Sequence, residues 1–222
     1  GPADVANYSV AVSDGRATTV SQRVRVAIAL LIDKDIVSGT LADGSKLEFS
    51  VLAQSSEEPR FNQPNAIVGD EAGNLYIADS GNYVIRKITA SGTVSTIAGQ
   101  PGKFGSSDGP AASAQLGYII AIARDPAGNL YTADLQNTIR RISPDGSLST
   151  LAGKSNDAGA VDGSGAIARF NYPAAMAFNA GGDLFVCDSG NHAIRKITPT
   201  GEVSTLAGLA GQPGYANGPG ST

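Results

Sequence analysis

The sequence is poor in the residues that build disulfides and metal centres. Its 222 residues include no tryptophan and only one cysteine, one methionine and one histidine. A single cysteine excludes a disulfide framework and a cysteine-rich zinc site, and a single histidine excludes a metal centre built from a histidine cluster. No catalytic set of residues stands out, and the sequence predicts a protein that is not an enzyme and needs no cofactor.

The net charge and the hydropathy of the chain exclude two classes of binding partner, nucleic acid and the membrane interior. The formal net charge is −4 at pH 7, which argues against nucleic acid, because a phosphate backbone is bound by a basic face. No apolar run reaches the 18 or so residues of a membrane helix, since the longest stretch, 24–32, contains Arg25. We therefore expect no membrane insertion. With 41% hydrophobic residues the chain predicts a folded domain.

Glycine is abundant, with 28 residues, and most of it belongs to a repeat. Three similar segments begin at Phe61, Leu116 and Phe170, 55 and 54 residues apart. Each contains four short runs rich in Val, Ile, Tyr and Thr, separated by Gly, Asn, Asp and Pro, as in antiparallel meanders. Three such units joined head to tail predict an all-β protein built of four-stranded β-propeller blades.

The sequence of the repeat also resembles that of a known family. The segments GNLYIADSGNYVIRKI, GDLFVCDSGNHAIRKI and TGEVSTLAG resemble NHL repeats, and the resemblance covers residues 61–208. It implies a six-bladed propeller that serves as a recognition surface for protein, RNA or small molecules. Some family members are lyases whose metal is held by histidines, and the single histidine here, His192, does not supply that set.

The predicted domains follow from the repeat. Residues 61–222 are divided into blades 61–115, 116–169 and 170–222. Residues 1–29 resemble the last hairpin of a bacterial-type Ig-like domain, with Tyr8 as a tyrosine corner, or form a generic β-hairpin. Residues 30–60 are expected to be a linker with a possible partial blade. Three blades are too few for a ring, so we expect the missing blades to come from a longer parent chain or from a second copy.

The predicted binding face lies where the long inter-blade loops meet the turns between second and third strands. Loops carried by a rigid scaffold are common recognition elements. The predicted ligand is a protein, a small molecule or a glycan, and the Ig-like segment favours a secreted or cell-surface bacterial protein. The candidate ligand-binding residues are Gln63, Tyr118, Tyr172, Lys103, Phe104, Asn156, Asp157 and Tyr215.

Two recurring charged positions allow functional alternatives. Asp79, Asp134 and Asp188 could form a ring that binds a divalent cation such as Ca²⁺, as in a hydrolase or lactonase-like propeller enzyme. Recurrence in every repeat favours the other interpretation, in which each carboxylate accepts backbone N–H bonds in the following turn. A second set, Arg86, Arg140 and Arg195, could bind RNA, but pairing with carboxylates between blades fits the acidic composition better.

Three further positions receive structural predictions. Cys187 aligns with Ala78 and Ala133, which predicts a small buried slot. His192 is expected in an exposed turn. The repeated pairs that begin at Asp108 and Asp162 are predicted to form turns within the long loops.

Overall fold

The structure is a computed structural model that describes residues 36–40, 46–50, 60–218 and 220, with only the backbone of the first two segments. The chain divides into two compact units, Gly1–Glu57 and Glu58–Thr222. In the first unit, strands β1 (Ile36–Thr40) and β2 (Lys46–Ser50) pair antiparallel. This hairpin falls in the segment predicted as a partial blade. The Ig-like hairpin at 1–29 lies outside the described residues and stays a prediction.

The second unit contains the three predicted blades, each an antiparallel meander in sequence order. Blade 1 consists of β3 (Pro64–Gly69), β4 (Leu75–Asp79), β5 (Val84–Ile88) and β6 (Val94–Gly99). Blade 2 consists of β7 (Ile119–Arg124), β8 (Leu130–Asp134), β9 (Thr138–Ile142) and β10 (Leu148–Gly153). Blade 3 consists of β12 (Pro173–Phe178), β13 (Leu184–Asp188), β14 (Ala193–Ile197) and β15 (Glu202–Gly208).

Blade 3 has a fifth strand that comes from the loop after blade 2. Strand β11 (Gly163–Ser164) pairs antiparallel with β15, placing Gly163 opposite Val203. The equivalent loop after blade 1 makes a single bridge between Gly109 and Leu148 of blade 2. These segments were predicted as turns, and the structure corrects that prediction: each crosses to the outermost strand of the following blade.

Two apolar layers hold the three blades together. The layer between blades 1 and 2 contains Ala78, Ile85, Leu116 and Ile122. The layer between blades 2 and 3 has as its largest member Phe170, which has no exposed surface. Since blade 2 is covered on both sides, its inner strand is almost fully buried.

The apolar residues that enter each layer fit against a glycine of the preceding blade. Gly99 has φ +85°, and a Cβ built there would lie 3.1 Å from Leu116 and 2.5 Å from a backbone carbonyl. Gly153 has φ +87°, and its Cβ would lie 3.2 Å from Phe170. Glycine is therefore required at both positions by the backbone conformation and by the close approach of the next blade.

Blades 1 and 3 each have one exposed face. Ile67 of blade 1 is 60% exposed, whereas Ile122 at the same repeat position in blade 2 is 9% exposed. Cys187 of blade 3 is exposed, although its equivalents Ala78 and Ala133 are completely buried. The prediction that Cys187 is buried was therefore wrong, because burial at this position depends on a following blade. Among the residues that the structure describes, no helix is long and apolar enough to span a membrane.

Candidate functional site

Three kinds of segment meet at one end of the blades, which we call the loop face. The turns after β4, β8 and β13 accept hydrogen bonds from the inter-blade loops, as when the Gly102 amide donates to the Asn82 carbonyl at 3.1 Å. The residues just before the inner strands join the same turns: the Gly81 amide donates to the Asn62 carbonyl at 2.8 Å, and the Leu135 amide to Tyr118 at 3.0 Å. The predicted meeting of loops and turns is found.

The loop face concentrates backbone strain. Among the described residues, six that are not glycine have positive φ, and all six lie here: Gln63, Tyr83, Asn137, Asn156, Tyr172 and His192. Tyr83 and His192 end the short 3₁₀ helices Ser80–Asn82 and Ser189–Asn191 in the left-handed conformation. Each such residue costs of order 1–3 kcal/mol and is maintained by surrounding contacts. His192 is exposed, as predicted.

Gln63, Tyr118 and Tyr172 form a row along this face, one in each blade. The Tyr118 hydroxyl donates to Gln63 Oε1 at 3.1 Å, which joins blades 1 and 2. The Tyr172 amide donates to Asn137 Oδ1 at 2.8 Å, which joins blade 3 to the turn of blade 2. The Tyr172 side chain is 48% exposed. The structure thus joins Gln63 and Tyr118 by a hydrogen bond and leaves Gln63 and Tyr172 exposed and Tyr118 partly exposed.

The other predicted residues are more dispersed. Phe104 packs edge-on against Tyr83, with ring centroids 5.4 Å apart, and is 53% exposed. The Asn156 amide donates to the turn of blade 2 at 2.9 Å. Asp157 pairs with Arg169 at 2.9 Å and with Lys154 at 3.1 Å; these two side chains lower the pKa of its carboxyl.

Lys103 and Tyr215 lie at the periphery of the predicted face. The Lys103 side chain is exposed, and its backbone amide closes a turn on Gln100 at 3.0 Å. Tyr215 is 99% exposed. Neither residue is brought to the row of Gln63, Tyr118 and Tyr172 by a hydrogen bond within the described part of the chain, so the row remains the most organised part of the predicted site.

The three recurring aspartates are engaged within their own blades. Asp79 accepts from the Asn62 amide at 2.7 Å and from Asn82 at 2.9 Å. Asp188 accepts from the Asn171 amide at 2.7 Å, and also from Asn191 and Arg195. All three carboxylates are fully buried. The backbone N–H bonds predicted from the following turn are therefore not found in blades 1 and 3, where the backbone donor is the residue before the inner strand and the turn contributes only an asparagine side chain.

Asp134 of blade 2 has the same role with different donors. It accepts from the amides of Gln136 and Thr138, each at 3.0 Å, and from the Thr138 hydroxyl at 2.6 Å. Burial raises the pKa of this carboxyl above its ordinary value and outweighs the hydrogen bonds from Thr138, which act in the opposite direction. With their oxygens held by N–H and O–H donors, the three carboxylates do not converge on a cation, and the described residues contain no group of three or more metal-ligating side chains.

The recurring arginines join neighbouring blades through the Asp-Gly loops, an arrangement we call the latch. Asp108 accepts from Arg140 at 2.6 Å, from the Thr150 amide at 3.0 Å and from the Thr150 hydroxyl at 3.1 Å. Asp162 makes the same contacts one repeat later, with Arg195 and with Thr205. The predicted pairing of arginines with carboxylates between blades is thus found in both internal junctions.

The latch gives a pH prediction. Burial raises the pKa of Asp162, but hydrogen bonds from Thr205 and Arg195 outweigh it, and the net pKa lies below the ordinary value of 3.8. Such a carboxyl contributes stability above pH 3.8 that is lost as the pH falls through its folded pKa, because the unfolded state binds the proton first. Asp162→Asn is therefore expected to lower the free energy of unfolding near neutral pH, and the difference from wild type should shrink below pH 3.8.

Urea unfolding of both proteins across the acid range measures this difference directly. The wild type serves as the control for Asp162→Asn, because the remaining carboxylates titrate in both proteins and their effect on stability cancels in the difference. A difference that stays constant down to the lowest pH would contradict the contribution of the Asp162 charge to the latch.

One serine motif in the loop after blade 1 has no catalytic setting. Residues 105–109 read Gly-Ser-Ser-Asp-Gly, which fits the GxSxG pattern of hydrolases. Ser107 donates to Gln115 at 3.0 Å, and Asp108 belongs to the latch. The single histidine, His192, lies in the turn of blade 3. The motif therefore lacks the strand-to-helix turn and the base that its chemistry needs.

Comparison with known proteins agrees with this architecture. Residues 170–197 match the family model of the NHL repeat. The chain carries an NHL repeat. The match covers the inner three strands of blade 3, and blades 1 and 2 repeat the same four-stranded meander.

Two curated proteins contain a similar region. The protein SUPPRESSOR OF QUENCHING 1, chloroplastic, of Arabidopsis thaliana is 29% identical over 194 residues, which cover 80% of this chain and 18% of the plant protein. Teneurin-3 of Danio rerio is 31% identical over 145 residues, covering 56% of this chain and 5% of that protein. The NHL chain thus spans less than a fifth of either relative.

Solved structures show the same fold. A structural genomics protein of unknown function from Bacteroides thetaiotaomicron has a TM-score of 0.57 and 23% identity over 73% of this chain and 44% of its own. An auxiliary nutrient binding protein from Bacteroides ovatus has a TM-score of 0.52 and 25% identity over 63% of this chain and 36% of its own. Both are β-propellers, and the NHL blades described here correspond to less than half of each.

Proposed function

We propose that the NHL blades form a non-catalytic recognition module whose loop face binds a polar small molecule of the oligosaccharide type. The observation that carries this proposal is the row of Gln63, Tyr118 and Tyr172. The three residues occupy one repeat position in consecutive blades, with glutamine in blade 1 and tyrosine in blades 2 and 3. This position tolerates a change of residue type, unlike the positions of the recurring aspartates and arginines.

The chemistry of the row matches a saccharide. A tyrosine offers a flat apolar ring together with a hydroxyl, and these suit the C–H face and the hydroxyl groups of a sugar. The Gln63 amide provides both a donor and an acceptor. The left-handed backbone at Gln63 and Tyr172 fixes the direction in which their side chains leave the blades, so little conformational freedom is lost on binding.

The name of one structural neighbour supports the same class of ligand. The Bacteroides ovatus protein is described as an auxiliary nutrient binding protein. Small-molecule sites are concave surfaces with a few well-placed polar groups, and a propeller end is such a surface.

The alternatives have weaker support. A cation-dependent propeller enzyme would need Asp79, Asp134 and Asp188, which are buried and engaged by their own turns. An RNA-binding ring would need its arginines at the surface, but Arg140 and Arg195 are at most 1% exposed.

We also propose that the protein acts outside the cell, as nutrient recognition requires.

The test is binding to a panel of soluble oligosaccharides, screened on an array and then measured by calorimetry. For a panel member that binds, Tyr172→Gln is expected to weaken the affinity by about 10- to 100-fold, the range for an aromatic anchor. Glutamine is the residue that blade 1 carries at this position, with φ +49°, so the substitution suits the backbone. Leu75→Ala, at a residue that is 38% exposed at the opposite end of blade 1, is the control and should leave the affinity unchanged.

Two results would overturn the proposal. One is the absence of binding across a panel that includes neutral and acidic sugars. The other is a tight ligand whose affinity is unaffected by Tyr172→Gln, since the row would then not be the site.

A further inference from the structure

The exposed faces of blades 1 and 3 have complementary features that recur inside the chain. At each internal junction, an apolar side chain of one blade fills a hole in the blade before it. Leu116 and Phe170 are these side chains, and both are completely buried. Phe61 holds the same repeat position in blade 1 but is only partly buried.

Within the part of the chain that the structure describes, no apolar side chain of another blade enters the corresponding hole on blade 3. A cavity of about 260 Å³ is lined by Cys187, His192, Ala207 and Gly208, together with neighbouring residues of the turn and of β14. Leu116 and Phe170 occupy the equivalent places in blades 1 and 2, against Gly99 and Gly153. The hole on blade 3 thus has the lining of a site that receives a Phe or Leu side chain.

The inner strands of blades 1 and 3 are also complementary on their exposed sides. Ile67 faces away from blade 2 and is 60% exposed, whereas Ile122 is buried against blade 1. On the opposite side, Ala175 and Ala177 of blade 3 are exposed, although Ala121 and Ala123 are 6% and 7% exposed in blade 2. A large apolar side chain on blade 1 therefore faces outward, and small side chains on blade 3 leave room for one.

The residues of the latch are likewise distributed between the two ends of the set of blades, with the arginine and threonine on blade 1 and an Asn-Gly pair after blade 3. Arg86 and Thr96 of blade 1 correspond to Arg140 and Thr150, but among the described residues no Asp-Gly segment reaches them. Within the described part of the chain, Arg86 donates to Asp79 and to the Arg60 carbonyl, each at 3.4 Å, and its guanidinium lies over the Phe61 ring, 5.3 Å from the centroid. Its Nε is buried without a hydrogen-bond partner. In the sequence, Ala53 stands eight residues before Phe61, where Asp108 and Asp162 stand before Leu116 and Phe170.

Blade 3 is followed by a segment that resembles the Asp-Gly pair of the latch. Asn217-Gly218 lies 55 residues after Asp162-Gly163 and keeps the glycine of the latch. An asparagine oxygen can accept from a guanidinium and from a threonine, as the aspartates do. Asn217 is exposed.

We propose that a second copy of this chain docks head to tail, with blade 1 of one copy on blade 3 of the other. Phe61 enters the hole at Cys187 and His192, and Asn217 engages Arg86 and Thr96. Both contacts have the same direction as the internal junctions, in which each blade receives the apolar side chain of the next and sends its latch to it. Because the two surfaces differ, the interface is heterologous and closes into a ring when the rotation permits.

The first test is the mass of the whole chain by light scattering and sedimentation from about 1 μM to about 500 μM, a range over which a dimer that depends on concentration is visible. We expect a mass that rises with concentration. Asn217→Asp restores the residue of the internal latches and is expected to tighten association about tenfold, since a charged acceptor strengthens the bonds to Arg86 and Thr96. Asn156→Asp makes the same charge change on the loop face and should have no effect.

The second test removes the apolar side chain. Phe61→Ala is expected to weaken association by about 30-fold or more, as for the central residue of an interface. Phe104→Ala, which removes another partly exposed aromatic, is the control and should leave association unchanged. A monomer at all concentrations for both the wild type and Asn217→Asp would overturn the proposal. Association that neither Asn217→Asp nor Phe61→Ala alters would also overturn it, because the copies would then meet through another surface.

Discussion

Arg195→Ala is expected to lower the free energy of unfolding by about 3–5 kcal/mol, the range for removing one partner of a buried ion pair. The guanidinium is 1% exposed and donates to Asp188 at 2.8 Å and to Asp162 at 2.6 Å. It also lies over the Phe170 ring, 5.1 Å from the centroid. Without it, the fully buried Asp188 carboxylate has no cation, and the latch between blades 2 and 3 loses its centre. The Asp162 side chain is 48% exposed, so solvent moderates its share of the loss.

Arg86→Ala is the matched control, because Arg86 holds the same repeat position in blade 1. Its side chain is 17% exposed and its one ion pair, with Asp79, is longer at 3.4 Å. Arg86→Ala also leaves the buried Asp79 without its cation, but the pair is longer and has no latch aspartate, so we expect a smaller loss than for Arg195→Ala. Urea denaturation at a protein concentration low enough to exclude association measures both. Equal losses for the two variants would contradict the contribution of the latch to stability.

The repeat and its strands were predictable because they depend on local chemistry. Alternating apolar residues between Gly turns define each meander, and three copies in register made the blade assignment secure. The sequence pattern did not indicate the bulge at Ile97 in the fourth strand of blade 1, Val94–Gly99, where Arg86 pairs with Thr96 and Ile85 with Ala98.

The exposure of Cys187 could not be predicted from the sequence pattern around it. Its two equivalents are alanines that are covered by the next blade, and the sequence pattern is the same in all three blades. Exposure at this position is decided by the following blade, so the same repeat position is buried in blades 1 and 2 and exposed in blade 3. The prediction for His192 succeeded because a left-handed turn residue at the end of a 3₁₀ helix is exposed for local reasons.

The pairing of the latch arginines with carboxylates was predicted, but the carboxylates themselves were not identified, for a related reason. Asp-Gly is a common turn pair, and nothing close to Asp108 in the sequence indicates that its partners are Arg140 and Thr150. The available signal was the spacing: Asp108 lies 42 residues before Thr150, and Asp162 lies 43 before Thr205. The row on the loop face was easier to predict, since Gln63, Tyr118 and Tyr172 share one position of the repeat.

Phe170→Ala is expected to lower the free energy of unfolding by about 3–5 kcal/mol, the range for an aromatic side chain removed from a packed core. Phe170 is fully buried between blades 2 and 3, and a smaller side chain would leave a cavity against Gly153 that the rigid sheets cannot close. Phe61→Ala makes the same change at the same repeat position, but Phe61 is only partly buried, so it should cost the isolated chain much less. Thermal and urea unfolding of the two variants at low concentration measure the difference. If the docked copy fills the hole on blade 3 with Phe61, the gap between the two variants should narrow as concentration rises, because Phe61 then becomes a buried residue as well. A gap that is independent of concentration would place Phe61 outside any interface.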